Sequence, residues 1–333
     1  MKRFAWLFSI VIAVAALWSV GWFLVAEQAR QALAELGTAD GSDSPQLTCA
    51  RSGVSGFPFR IDIACEEAVL VAEDLTVTAA GVRASVQVDN PTHVVFSVRA
   101  PITTRDAFYG SSSRLNFTAL QGSARVTTSD ILKGLSGEGW RIARVSLVGD
   151  GLDWVDTIGA ELPLAKVSHA ELQLGDIAEL HDKAAGTAAL AVYAVARDVT
   201  APFYQVGDAD GEVQLQITGL PADLRRFDAP DLIPAWPAAG GKIEIVRING
   251  TDGEDLIDAS GTLTLDANRM PEGEITYANR GISERLAPYV NPVVLSVLAG
   301  LPQEDGTLKQ ALQFSGGALR VGGIPLFNLE PLF

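Results

Sequence analysis

GEVQLQITG, residues 211–219, alternates polar and apolar side chains and indicates the fold class of the whole chain. Its apolar members are Val213, Leu215 and Ile217, separated by Glu212, Gln214 and Gln216. Successive side chains of a β-strand point to opposite faces, so this spacing predicts a strand with one apolar and one polar face. Such strands are typical of antiparallel sheets.

The same alternation recurs along most of the chain, for example in VRASVQV (82–88), HVVFSVRA (93–100) and SGTLTLDA (260–267). Further candidate strands are RLNFTAL, RIARVSLVG, AELQLGD, AALAVYAVA, GKIEIVRING and GALRVGG. Turns containing Gly, Asp or Asn separate these stretches at short intervals, and few helices are available for parallel connections. We therefore expect a mainly β protein: an N-terminal transmembrane helix, then an extended, curled antiparallel sheet with a few packed helices.

Three stretches of the body predict helices. TSDILKGL (128–135) offers Ser129 as an N-cap, and LPADLRRFDA (220–229) has a proline near its first turn. SERLAPYVNPVVLSVLAG (283–300) offers Ser283 as an N-cap, and its two prolines are expected to bend it. We expect this third helix to pack over the sheet.

An apolar segment opens the chain. Residues 4–26 carry no charge, and Lys2 and Arg3 precede them. At about 1.5 Å per residue this segment can cross the roughly 30 Å hydrocarbon layer. The positive-inside rule then places residues 1–3 in the cytoplasm. A cleaved signal peptide is the alternative, although its apolar region would be shorter and end in small residues.

These features divide the chain into a cytoplasmic tip (1–3), a transmembrane anchor (4–26), a helical extension and linker (27–46) and an extracytoplasmic β-rich domain (47–333). A division of the β-rich domain into two halves, with the boundary near residue 140, is an open alternative. The net charge of −15 argues against binding to nucleic acid, because the phosphate backbone would be repelled. We expect a single-pass protein of the bacterial inner membrane, with its body in the periplasm.

The two cysteines, Cys49 and Cys65, flank the motif GFPFR at 56–60. In an oxidising compartment they predict a disulfide, with two unrelated buried thiols as the alternative. A hairpin turning at SGFP would place the two cysteines directly opposite each other.

The residues at the turn of that hairpin form a candidate contact tip, and they are Phe57, Pro58, Phe59 and Arg60. The two phenylalanines are expected to be core anchors, with contact to lipid or to a protein partner as the alternative.

No motif in the sequence predicts catalysis, a cofactor or a metal site. His93, His169 and His181 have no metal-ligand spacing, and GLSGEG (134–139) has Glu138 where a nucleophile elbow needs glycine. The acidic stretch NGTDGEDLID (249–258) offers oxygen ligands for calcium but lacks the usual register, so a solvated hairpin loop is preferred. We expect no catalytic residue and no cofactor.

The order of these features resembles the bacterial family called domain of unknown function 2125. The resemblance rests on the apolar span ending in GWF, on GFPFR between Cys49 and Cys65, and on the closing stretch LQFSGGALRVGGIPLFNLEPLF (312–333). The closing hairpin is similar to endings in AsmA-like envelope proteins, which implies phospholipid handling through β grooves. That implication is an analogy between folds.

Three functions follow as hypotheses. The first is a non-enzymatic envelope protein whose apolar sheet face binds or handles lipid. The second is an envelope scaffold or assembly factor that binds another protein through sheet edges or the tip. The third is a hydrolase with a site assembled from distant residues.

Overall fold

A computed structural model describes residues 2–42, 44–128, 134, 136–227, 229–288 and 290–331. Within these ranges the chain forms a long N-terminal helix, α1 (Lys2–Thr38), and seventeen strands of an antiparallel sheet. The prediction of a mainly β protein with an N-terminal apolar helix is confirmed.

The strands are β1 (Gln46–Ser55), β2 (Arg60–Ala72), β3 (Leu75–Gln87), β4 (Asn90–Asp106), β5 (Ser111–Asn116), β6 (Ala119–Thr128), β7 (Trp140–Asp156), β8 (Leu162–Asp176), β9 (Thr187–Ala201), β10 (Val206–Pro221), β11 (Lys242–Asp252), β12 (Asp255–Leu265), β13 (Pro271–Arg280), β14 (Leu301–Pro302), β15 (Leu308–Ser315), β16 (Ala318–Val321) and β17 (Ile324–Asn328). The short helices are α2 (Leu232–Ala235), α3 (Ile282–Leu286) and α4 (Pro292–Ala299). Each stretch that alternates in the sequence lies wholly or mostly in one or two of these strands.

Contacts divide the chain into two units. Unit 1 comprises Met1–Ser123 with Gly151–Leu164, and unit 2 comprises Ala124–Asp150 with Ala165–Phe333. Each unit therefore takes in two separate parts of the chain.

In unit 1, α1 packs against β1, β2 and the β3–β4 turn of a sheet formed by β1 to β4. Val54 lies opposite Ile63, Ile63 opposite Ala84, and Ala84 opposite Phe96. This register gives the four strands a shared apolar face. The core cluster of the unit consists of buried Trp22, Ala26 and Ile61, with Ala29, Val54, Ile63 and Val88 packed against it.

In unit 2, the strand register aligns one apolar row across seven strands. The row contains one residue from each of β8 to β13 and one from β15. In that order they are Leu174, Val192, Leu215, Ile245, Gly261, Ile275 and Leu312. The neighbouring row on the opposite face is Gly175, Ala191, Gln216, Glu244, Thr262, Glu274 and Gln313. The sheet of unit 2 is therefore apolar on one side and largely polar on the other.

The predicted helix at 220–229 is wrong. Strand β10 continues to Pro221, which pairs with Thr187 of β9, and among the described residues of this stretch only Leu224–Arg226 form a short 3₁₀ turn. Sheet pairing holds the start of the stretch extended. The Asp223 carboxylate then accepts hydrogen bonds from the Arg225 and Gly139 N–H groups and fixes the turn.

The single long helix predicted at 283–300 is also wrong, because the structure has two short helices, α3 and α4. Gly281, rather than Ser283, is the N-cap of α3. The Asn291 side chain caps α4 by accepting from the Val293 N–H, and Pro292 occupies the first turn, so the helix restarts there. Of the helix predicted at 128–135, residues 129–133 and 135 lie outside the described residues.

Candidate functional site

The hairpin of β1 and β2 carries the GFPFR motif at its turn. Gly56 has a φ of +104°, and a Cβ on it would lie 2.7 Å from the Arg60 carbonyl oxygen, so glycine is required there. The Arg60 N–H donates to the Gly56 carbonyl at 3.0 Å and closes the turn. The Phe57–Pro58 peptide bond is cis. We call residues 57–60 the tip.

A disulfide joins Cys49 and Cys65, with 5.3 Å between their Cα atoms. The predicted register is nevertheless wrong: Cys49 lies opposite Ala68, and Cys65 lies opposite Ser52. The reason is that the turn is centred between Pro58 and Phe59 instead of on Phe57. Glu67, between Cys65 and Ala68, has a φ of +50° and interrupts the regular alternation of side chains in β2.

The tip lies against the apolar part of α1. The Trp18 indole N–H donates to the Pro58 carbonyl at 2.9 Å, and the Trp22 indole N–H donates to the Arg60 carbonyl at 2.7 Å. Two side chains one helical turn apart therefore hold two alternate carbonyls of the tip. Nothing in the local sequence indicated that these segments, about 40 residues apart, would meet.

Aromatic contacts reinforce these hydrogen bonds. The Phe57 ring lies 5.4 Å from Trp22 and 5.9 Å from Phe23, between ring centroids, and Phe59 lies 6.4 Å from Trp18. Phe57 remains 50% exposed and Phe59 69% exposed. The expectation that these phenylalanines are core anchors is therefore wrong, because one side of each ring contacts α1 and the rest of it stays uncovered.

An apolar crevice of about 510 Å³ runs between α1 and the adjoining ends of β2, β3 and β4. Its walls include Val14 and Leu17 from the helix and Ile61 and Val88 from the sheet. Charged groups lie near the tip: Arg60 forms an ion pair with Asp62 at 3.2 Å, and Asp62 accepts a hydrogen bond from Ser85.

A second apolar cavity, of about 370 Å³, lies in unit 2 between the sheet and helices α3 and α4. The row residues Ile275 and Leu312 line its sheet side, and Leu286 and Leu298 line its helix side. In the same row, Leu174, Val192 and Leu215 remain half-buried, whereas Ile245 is buried.

Asn279 supplies a buried polar group to this second cavity. Its side chain is 2% exposed, and its amide N–H₂ donates to the carbonyls of Ala299 and Leu308, each at 3.2 Å. Because both partners are acceptors, the orientation of the amide is fixed. The Oδ1 atom is then left without a hydrogen-bond partner, although a buried acceptor normally has one.

The acidic stretch at 249–258 forms the β11–β12 hairpin. Arg285 of α3 donates to the Asp252 carboxylate at 2.6 Å and to the Asp255 carboxylate at 2.5 Å. Hydrogen bonds from the Asp208 backbone N–H and from Arg285 hold the pKa of Asp252 below its usual value. The predicted hairpin is confirmed, but its loop is only partly solvated. Asp252 and Asp255 are partly buried, and their carboxylates are the docking point of α3.

Two histidines contact carboxylates. His169 lies 2.7 Å from Asp150 and 3.2 Å from Glu171, and its pKa is raised, first by the hydrogen bond to Asp150 and then by that to Glu171. His181 lies 2.6 Å from Asp176. Within the described ranges, His, Cys, Asp and Glu side chains do not form a group of three or more suited to a metal ion.

Helix α1 is long and apolar enough from Trp6 to Thr38 to cross a membrane, a property that signal sequences share. Together with the disulfide it indicates a secreted, envelope or single-pass membrane protein. No curated protein and no solved structure matches the sequence, so the similarity to AsmA-like proteins stays an expectation. A family model described as "Uncharacterized protein conserved in bacteria (DUF2125)" matches residues 22–330. Because this match covers most of the chain, the protein belongs to the DUF2125 family.

Proposed function

We propose that this protein is a non-enzymatic component of the bacterial cell envelope that holds lipid hydrocarbon chains on the apolar face of its sheet. Helix α1 anchors it in the inner membrane with residues 1–3 in the cytoplasm, and the body lies in the periplasm.

The packing of α1 supports an uncleaved anchor over a signal peptide. Trp22 and Ala26 are buried against Ile61 and belong to the core cluster of unit 1. Cleavage after Ala26 would remove both and leave Ile61, Val54 and Ile63 uncovered. Loss of a core tryptophan typically costs about 3–5 kcal/mol, so cleavage would destabilise the unit.

The observation that carries the lipid proposal is the apolar row of seven strands in unit 2, which is only partly covered. Of the buried hydrophobic residues that the structure describes in this unit, only Leu190 and Ile245 are larger than valine. Apolar strand faces of this extent are usually buried against a second layer. Half-buried Leu174, Val192 and Leu215 therefore suit a hydrocarbon ligand.

The cavity under α3 and α4 extends the same argument. It is lined almost entirely by apolar side chains, and Asn279 Oδ1 is a buried acceptor among them that lacks a partner. A hydrocarbon chain that carries a hydroxyl or amide donor would satisfy both the apolar walls and this acceptor. The ligand class we propose is therefore an acyl lipid with a hydrogen-bond donor near its chain.

Photocrosslinking of the full-length protein tests this proposal. The protein is reconstituted in nanodiscs that contain lysophosphatidylethanolamine, whose free glycerol hydroxyl lies next to a photoreactive acyl chain. The samples are irradiated, and the adducts are mapped by mass spectrometry. We expect adducts on the apolar row of unit 2 and on the cavity lining. Ile275→Trp, which fills the cavity, lowers this labelling, whereas Thr276→Trp on the opposite face of β13 leaves it unchanged. Adducts confined to α1 would refute lipid binding by the sheet.

A scaffold is the second candidate, and exposed aromatic pairs favour it. Phe108 and Tyr109 at the β4–β5 turn, and Phe203 and Tyr204 at the β9–β10 turn, are exposed and pack edge to face with ring centroids 5.0 and 5.1 Å apart. Exposed tyrosines and phenylalanines are enriched at protein interfaces. A photocrosslinker at Tyr204 that gives one dominant protein adduct in cells, with none from position Glu179, would support this alternative.

A further inference from the structure

We propose that the tip, residues 57–60, enters the outer leaflet of the membrane beside α1 and contacts its acyl chains. The inference requires α1 to be a membrane anchor. It does not depend on lipid binding by unit 2, because all of its evidence lies in unit 1.

The depth of the tip follows from its partners on the helix. The apolar segment ends at Ala26, and Trp22 and Trp18 lie four and eight residues before it. At 1.5 Å per residue these indoles lie about 6 and 12 Å inside the end of the apolar segment. Since the indoles donate to the carbonyls of Arg60 and Pro58, the tip lies at the same depth as the two tryptophans.

Backbone carbonyls of the tip accept hydrogen bonds from other groups of the protein, as a medium without water requires. The Pro58 carbonyl accepts from Trp18, the Phe59 carbonyl from the Val88 N–H at 3.0 Å, and the Arg60 carbonyl from Trp22. Pro58 itself has no N–H to satisfy. An unpaired carbonyl in hydrocarbon costs several kcal/mol, so the pairing of these three consecutive carbonyls lowers the cost of insertion.

The side chains of the tip suit the same location. Phe57 and Phe59 expose half or more of their surface beside a helix whose own apolar side chains are exposed. The Arg60 guanidinium is also exposed. The long side chain of Arg60 can place this group at the lipid phosphates while its methylene groups stay among the acyl chains. Asp62 pairs with Arg60, and Asp89 lines the same recess as the tip, so the site is not strongly cationic and is a poor binding site for lipid phosphates. The contact we propose for the exposed phenylalanines is therefore with acyl chains.

Fluorescence quenching measures the depth of the tip directly. Both native cysteines are in the disulfide, so one introduced cysteine is the only thiol available for labelling. Full-length Phe59→Cys is labelled with an environment-sensitive fluorophore in phosphatidylcholine vesicles whose lipids carry a nitroxide near the top or the middle of one acyl chain. Asp74→Cys, in the exposed turn at the other end of β2, is the matched control.

We expect a large loss of fluorescence with both nitroxide lipids at position 59 and only background loss at position 74. Ser55→Cys keeps both phenylalanines and should be quenched more by the upper nitroxide than by the lower one. If positions 59 and 55 are quenched no more than position 74 in these vesicles, the tip does not enter the leaflet. That result would leave a protein partner as its contact, and the proposal would be wrong. Because the readout involves no residue of unit 2, it can succeed when the crosslinking test fails.

Discussion

At the scale of single residues, Trp22 joins the helix to the sheet in two ways. Its ring fills the core cluster with Ala26 and Ile61, and its indole N–H donates to the Arg60 carbonyl. We predict that Trp22→Ala lowers the free energy of unfolding of unit 1 by about 3 kcal/mol. Trp22→Phe, which keeps most of the ring contact but loses the hydrogen bond, should cost about 1 kcal/mol.

Denaturant unfolding in detergent micelles, followed by the fluorescence of a label on Ser55→Cys beside the tip, measures both losses. Trp6→Ala is the control, because Trp6 is an exposed residue of the same helix. Equal stability of Trp22→Ala and Trp6→Ala would contradict the assignment of Trp22 to the core.

His169 gives a prediction for pH. Hydrogen bonds to Asp150 and then to Glu171 raise its pKa, so the folded state favours the protonated ring. Its contribution to stability is therefore full below the unfolded pKa of about 6.5 and disappears as the pH rises through the folded-state pKa. The difference in Tm between the native protein and His169→Gln should shrink from acidic to alkaline pH.

Titration of the His169 ring by NMR checks the direction of this shift. The pKa should lie above that of a free histidine and should fall in Asp150→Asn, since the largest stabilising partner is then neutral. A folded-state pKa at or below the usual value would show that the pairing with the carboxylates is absent in solution.

At the scale of elements, the Cys49–Cys65 disulfide ties the two strands that present the tip. Closing a loop of this length stabilises a protein by about 3 kcal/mol in the chain-entropy model. We predict a loss of that size for Cys49→Ser with Cys65→Ser, measured by chemical denaturation. Reduction of the native protein should lower the free energy of unfolding by the same amount. Reduction of the double variant should lower it no further, and this is the internal control.

The docking of α3 on the β11–β12 turn rests on Arg285. This side chain bridges Asp252 and Asp255, and its removal leaves two partly buried carboxylates without their cation. We expect Arg285→Met to cost about 2 kcal/mol, the usual worth of hydrogen bonds to charged groups. Arg226→Met is the control, because the Arg226–Asp231 pair is exposed and 4.0 Å apart. Similar losses in both variants would show that the bridge adds nothing.

At the scale of the whole molecule, the retained anchor has a simple consequence. We predict that the mature protein keeps residues 1–26 and stays in the membrane fraction after alkaline carbonate washing. A reporter fused after residue 333 should be active only in the periplasm. An intact mass that lacks the first 26 residues would contradict the proposed anchor.

The sequence predicted most of the fold because its information is local. Alternation with period two identifies strands such as β3 and β10 without knowledge of their partners. The predicted helices failed where pairing decided the outcome: Pro221 is held in β10 by Thr187 of β9, and Asn291 with Pro292 starts a new helix. The sequence did not predict the role of Asn279 either. Its Oδ1 lacks a partner because two carbonyls from distant segments accept from its N–H₂ group, and a local pattern does not show which carbonyls will lie there.

The sequence by itself determined the secondary-structure class, the apolar N-terminal helix, the one-sided strands and the pairing of its two cysteines, since each follows from residue types and short spacings. Only the tertiary structure decided that the tip docks on Trp18 and Trp22, that Cys49 lies opposite Ala68, and that the apolar row of unit 2 stays partly uncovered. The physical reason is that contacts between distant segments depend on register and on the angle at which elements pack, and neither is encoded in a local pattern.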